Sequence, residues 1–129
     1  MSKQKLPITR SVLAGAALVP VLRETYGLDI RDCRLIKAMI LATYHVRAGE
    51  GRYILRIYPH GRRSRAEVEG ELSFLNSLHA LGVPVSVPLR TTASRQTLSL
   101  EAPEGKRLAA LFSFAPGHPL EPRKDLDSV

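Results

Sequence analysis

Apolar positions along the chain change period several times, and each change predicts an element. Leu18, Val21, Leu22 and Tyr26 recur at the spacing of one helix face, Pro20 suits a first turn, and Gly27 stops the run. The mostly apolar stretch 33–40 and the β-rich stretch 43–47 predict strands, and the turn signal Ala48-Gly49-Glu50-Gly51 follows. Residues 52–58 carry the clearest strand pattern, so 43–47 and 52–58 read as a hairpin. On that second strand Arg52, Ile54, Arg56 and Tyr58 share one face, and Tyr53, Leu55 and Ile57 share the other.

Pro59-His60-Gly61 ends the strand. Ser64-Arg65-Ala66-Glu67 has the form of a capping box, Val68, Leu72, Leu75 and Leu78 follow at helical spacing, and Gly82 with Pro84 terminates the helix. The stretch 83–89 is extended and proline-punctuated. Strands at 97–102 and 107–114 flank the turn Pro103-Glu104-Gly105 as a second hairpin, and Ala115-Pro116-Gly117 breaks the last strand. Residues 118–129 are polar and without periodicity. The order helix, hairpin, helix, strand, hairpin indicates an α+β layer of antiparallel strands rather than a doubly wound parallel sheet.

The 129 residues allow one domain, or one lobe of something larger. With 44% hydrophobic and 24% charged residues the chain is neither collagen-like, coiled-coil nor wholly disordered. Only 5% is aromatic and Trp is absent, which poorly supplies a stacking platform for single-stranded nucleic acid. Nineteen Lys and Arg against twelve Asp and Glu give +7, which favours anionic partners: a nucleotide, a phosphate-rich polymer or an acidic membrane. The single cysteine, Cys33, excludes an internal disulfide, fits a reducing, cytoplasmic setting, and reads as a small core hydrophobe. No apolar run reaches the roughly 18 residues of a membrane span. Lys3, Lys5 and Arg10 ahead of the apolar run 12–22 outline a secretory leader, but Pro20, Arg23 and Glu24 and the missing cleavage site favour a helix. His45, His60, His79 and His118 fall in different elements without ligand spacing, so no metal site is expected.

Two charges sit where apolar neighbours surround them. Glu71 lies three residues after Val68 and four before Leu75, and Arg56 is central in the most hydrophobic strand. An ion pair between them would offset the burial of both, and the alternative puts both at the sheet edge in water. Glu67 reads as a cap residue and Glu69 as a solvated position on the far side of the helix. Arg62, Arg63 and Arg65 cluster at the same helix start, which supports a competing reading as a non-enzymatic module for nucleic acid or another polyanion. No nucleic-acid motif accompanies them, so that partner is not favoured.

The string Tyr53-Ile54-Leu55-Arg56-Ile57-Tyr58, Glu71 with Leu72, Phe74, Leu75 and Leu78, then Gly82-Val83-Pro84-Val85 and Leu111-Phe112-Ser113-Phe114 with Pro116-Gly117, resembles the aminoglycoside phosphotransferase and choline kinase family, in its homoserine-kinase-like and stress-response-kinase-like branches. The resemblance runs from about residue 18 to 120. It implies a protein-kinase-like amino-terminal lobe: an antiparallel sheet of about five strands, one long helix and an amino-terminal helix. It divides the chain into a helical segment at 1–27, an ATP-binding lobe at 28–117, and a hinge tail at 118–129 leading toward an absent carboxy-terminal lobe. By the same resemblance, Arg56 holds the α- and β-phosphates of ATP and Glu71 orients it. Ile54 and Val46 face the adenine ring, and backbone groups near Ser113, Phe114 and Ala115 meet its edge.

Two departures stand out: the connection 37–42 carries no glycine for a phosphate cradle, and Ala42 stands where many relatives have Asn. The His-x-Asp catalytic loop and the Mg²⁺-binding carboxylate of the family do not occur in these residues. The resemblance therefore implies a transferase acting on a small-molecule hydroxyl only when the missing lobe, in cis or on a partner chain, supplies them. The 129 residues alone are expected to be inactive, with no catalytic residue of their own and an exposed apolar surface that favours self-association. A pseudokinase fragment that binds a partner protein is the remaining alternative.

Overall fold

The computed structural model describes residues 13–38, 41–61 and 63–113. Helix α1 (Gly15–Tyr26) leads into strands β1 (Ile30–Ala38), β2 (Ala42–Ala48) and β3 (Gly51–Ile57). Helix α2 (Arg65–Ala80) and the hairpin of β4 (Leu98–Ala102) and β5 (Gly105–Ser113) complete the lobe. All pairings are antiparallel, and the strands lie in the order β1-β2-β3-β5-β4. Both hairpins and both helices expected from the periodicity are present.

The helices cover opposite faces of the sheet. Leu18, Leu22 and Tyr26 of α1 join Cys33, Tyr44, Val46, Leu55, Ile57 and Leu111 in the larger core, so helix α1 shares the core of the sheet. Val68 and Leu72 of α2 pack on the other face with Ile54, Tyr58, Ala110 and Phe112. Burial pushes the Cys33 thiol up to about 12, as suits a small core residue. No helix among the described residues is long and apolar enough to cross a membrane.

Both helix ends of α2 follow the sequence signals. The Ser64 hydroxyl accepts from the Glu67 amide at 3.1 Å, and the Glu67 carboxylate accepts from the Ser64 amide at 2.8 Å. At the other end the amides of Gly82 and Val83 donate to the carbonyls of His79 and Leu78, with Gly82 at φ 90°, which closes the helix as a Schellman motif. Helix α1 differs from expectation: it begins at Gly15, so Pro20 falls inside it rather than in its first turn. Pro20 is exposed, and the interruption leaves the buried Leu18 and Leu22 in phase. The stretch 83–89 is no free linker, because the Leu89 amide donates to the Leu111 carbonyl at 2.8 Å and the Ser113 amide to the Val87 carbonyl at 3.1 Å.

Two features of the larger core give tests. The start of α1 runs so close to β1 that a Cβ at Gly15 would collide with the Cys33 carbonyl oxygen. Gly15→Ala gains helix propensity worth up to about 1 kcal/mol but must displace backbone, so a net loss of about 1–3 kcal/mol is expected in urea unfolding. Arg107 is buried on the α1 side and donates twice to the Glu104 carboxylate, at 2.6 and 3.1 Å. That pairing holds the Glu104 carboxyl below its usual value, so its stabilising share is present above pH 4.5 and disappears as pH falls through the lower folded value. Thermal unfolding from pH 6 to pH 3 should therefore steepen in the wild type relative to Glu104→Gln.

Candidate functional site

Register sorts the side chains of β1, β2 and β3 onto two chemically distinct faces, because residues directly opposite across antiparallel strands point the same way. Leu35, Tyr44, Leu55 and Leu111 are aligned on the α1 face, as are Cys33, Val46 and Tyr53. On the other face one row holds Asp32, Arg47 and Arg52, and a second holds Arg34, His45, Ile54 and Phe112. A third holds Lys37, Thr43, Arg56 and Ala110. Helix α2 covers the Ile54, Ala110 and Phe112 end of these rows, and the β1–β2 end remains open, with Arg34, Lys37, Arg47 and Arg52 exposed. The open face thus gathers Arg34, Lys37, Arg47, Arg52 and Arg56, with the acid Asp32 at its Arg47 and Arg52 end, and has the chemistry of an anion site.

Two irregularities in β1 build this face. Register shifts occur between Ile30 and Asp32 and between Leu35 and Lys37, where Arg31 and Ile36 are extra residues against β2. The second shift reverses the alternation, so Lys37 joins Thr43 and Arg56 rather than Cys33 and Leu35. The ladder continues to Ala38 and Ala42, which places Lys37, Ala38 and Ala42 in strands rather than in the glycine-free connection expected at 37–42.

The positions expected to bind ATP divide between the faces. Val46 and Ile54 do not share a surface: Val46 opposes Tyr53 and is 0% exposed in the α1 core, whereas Ile54 opposes His45 and is 6% exposed beneath α2. Both are packing residues in this arrangement. His45 and Thr43 occupy the β2 positions on the Ile54 and Arg56 side. Ser113 lies on the α1 face opposite Tyr53, and its amide is committed to Val87; Phe114 and Ala115 lie outside the described residues.

The direct ion pair anticipated between Arg56 and Glu71 is absent. Glu71 accepts from Arg63 at 2.8 Å with its side chain 47% exposed, and the Arg56 guanidinium lies 4.9 Å from the Phe112 ring centre. The buried stripe of α2 passes through Val68 and Leu72, leaving Glu71 on its flank rather than toward the core. The charges still share a neighbourhood. Burial and then Glu71 raise the Tyr58 hydroxyl above its ordinary value, against the opposing pull of Arg56 and Arg63. The Arg63 guanidinium stands 5.9 Å from the Tyr58 ring centre.

The orientation of α2 rests on polar contacts that periodicity did not reveal. Glu69, expected on a solvated face, accepts from Gln96 Nε2 at 2.7 Å and from Thr97 Oγ1 at 3.1 Å. Asn76 Nδ2 donates to Gln96 Oε1 at 2.8 Å, and Arg65 donates to Thr97 and Ser99 at 3.0 and 3.2 Å. Gln96 and Thr97 are 6% and 2% exposed, so the bonds they make with Glu69 and Asn76 are partly shielded from water. Gln96→Leu leaves Glu69 and Asn76 without this partner and should destabilise the lobe by about 2 kcal/mol in urea unfolding. Faster amide exchange in α2 than in α1 would locate the effect.

Strand order, the long helix over one face and the cation at the centre of β3 define a protein-kinase-like amino-terminal lobe. The sequence pattern of the phosphotransferase enzyme family, APH, matches residues 32–128, and the chain belongs to that family. It is 42% identical over 120 residues to an uncharacterized protein of Deinococcus radiodurans, covering 93% of this chain and 35% of that one. A second uncharacterized protein, of Synechocystis sp., is 38% identical over 112 residues, 86% of this chain and 31% of its own. The chain therefore spans about a third of the length of these curated relatives.

Solved structures share the fold at low identity. The microcompartment-associated aminopropanol kinase superposes with a TM-score of 0.67 at 22% identity, over 82% of this chain and 33% of that one. Amicoumacin kinase, in complex with AMP-PNP, Ca²⁺ and Ami, gives 0.66 at 20%, over 84% and 33%. Spectinomycin phosphotransferase with ADP and spectinomycin gives 0.60 at 20%, over 88% and 35%.

Proposed function

We propose that the chain is the ATP-binding lobe of a small-molecule kinase, and that the phosphates of ATP lie on the cationic open face of β1, β2 and β3. The observation that carries this reading is the cross-strand register that gathers Arg34, Lys37, Arg47, Arg52 and Arg56 on the face left open by α2. In that role Arg56 offers a planar, permanently charged fork for bidentate phosphate contact, and its position against Phe112 limits its freedom before binding. Glu71 and Arg63 flank the same region and bias where Arg56 settles. The nucleotides in the amicoumacin kinase and spectinomycin phosphotransferase complexes support ATP as the ligand.

ATP supplies the transferable phosphoryl group. A base and an Mg²⁺-binding carboxylate are also required, and no cluster among the described residues is suited to a metal ion. We assign those groups, and recognition of the acceptor hydroxyl, to the part of the longer relatives that this chain does not span, acting in cis or from a partner chain. The 129 residues alone then bind nucleotide without turnover. The exposed Phe74, Leu81 and Val83 are apolar surface consistent with self-association of the isolated lobe.

The competing polyanion reading draws on the same cations, and binding separates the two. Calorimetric titration should give ATP binding that Arg56→Met weakens about tenfold or more, with adenosine much less affected. Inorganic triphosphate should bind more weakly than ATP at equal salt. Equal binding of ATP and triphosphate, both falling steeply with ionic strength, would support a polyanion module instead.

A further inference from the structure

We propose that Lys37 and Thr43 act with Arg56 as a side-chain clamp on the β- and γ-phosphates of a nucleoside triphosphate, in place of a glycine-lined backbone cradle. The clamp rests on the nucleotide reading above and adds residues and a geometry to it. The register shift at Ile36 turns Lys37 onto the open face, where it stands opposite Thr43, which in turn stands opposite Arg56. Neighbouring strands are about 4.8 Å apart, so the backbones of Lys37 and Arg56 are separated by about 10 Å with Thr43 between them. The Arg56 guanidinium rests toward Phe112 of β5, 4.9 Å from its ring centre, and a phosphate would draw it across β3 toward Lys37. The two side chains are long enough to meet over Thr43, which would put an ammonium, a guanidinium fork and a hydroxyl donor around one anionic group.

The surroundings leave these cations available to a ligand. Among the described residues neither Lys37 nor Arg56 is held in an ion pair. Asp32 lies on the far row of the open face, and the Glu71 carboxylate is engaged by Arg63. The connection between β1 and β2 carries no glycine, and the ladder extends to Ala38 and Ala42. A backbone cradle of the glycine-rich kind has no glycine to build on there, whereas the side chains of the flanking strands carry the needed donors. The bulge thus does for Lys37 what a change of loop sequence would otherwise have to do.

The test is a set of titrations on the full 129-residue chain with ATP, ADP and adenosine as probes. Lys37→Met should weaken ATP about tenfold, ADP less, and adenosine not at all. Thr43→Val should weaken ATP several-fold, while Lys37→Arg and Thr43→Ser should bind as the wild type does. Lys37 is exposed and Thr43→Val preserves shape, so melting temperatures should stay near the wild type, and the two conservative variants keep the comparison valid if they do not. If Arg56→Met weakens ATP while Lys37→Met and Thr43→Val bind normally, the clamp is wrong and the nucleotide reading stands. A wild-type chain that binds no ATP overturns both.

Discussion

The two-residue connection Gly49-Glu50 between β2 and β3 fixes the pairing of Ala48 with Gly51, and everything functional depends on the register that follows. Because side chains alternate, a slip of one residue would move Tyr44, Val46 and Ala48 out of the α1 core and drive Thr43, His45 and Arg47 into it. Tyr44 and Val46 are fully buried, and exposing them would forfeit roughly 1.5–3 kcal/mol each before any charge was desolvated. The location of the cations is therefore enforced by the packing of their apolar neighbours. A cationic face is specified here by a core that cannot tolerate the opposite arrangement.

Helix α2 decides how much of that face is left for a ligand. Its apolar contribution is narrow, centred on Val68 and Leu72, and its azimuth is set by the bonds of Glu69 and Asn76 to Gln96 and of Glu69 to Thr97. These bonds tie the helix to the β4 side of the sheet. That placement buries Ile54 and Phe112, leaves the β1 and β2 rows uncovered, and puts Glu71 on the flank near Tyr58, where Arg63 reaches it first. The cation of β3 and the carboxylate of α2 are thus neighbours of one tyrosine without being partners of each other.

Much of this was legible in the chain itself. The capping box, the paired hairpins, the faces of β3 and the α+β order follow from local rules, and each is present. The face of β2 was also readable, since Thr43 to Ala48 alternates polar and apolar and places Val46 with Tyr44 rather than beside Ile54. The face of Lys37 was not, because its alternation with Cys33 and Leu35 points the wrong way until a bulge reverses it. The role of Glu69 was hidden for a different reason: its partners lie 27 and 28 residues away, in the segment just before β4, whose position depends on the whole sheet. Arg63 as the partner of Glu71 was likewise a matter of helix azimuth, which spacing along one helix leaves open.

The most direct test of the account is a backbone NMR titration of the chain with ATP, compared with adenosine alone. The shifts produced by ATP beyond those of adenosine should cluster on residues 34–37, 43–47 and 52–56. Amides of α1 itself should stay still. Shifts concentrated instead at the start of α2 around Arg63 and Arg65, or spread evenly over every basic residue, would contradict a phosphate site on the open face of the sheet.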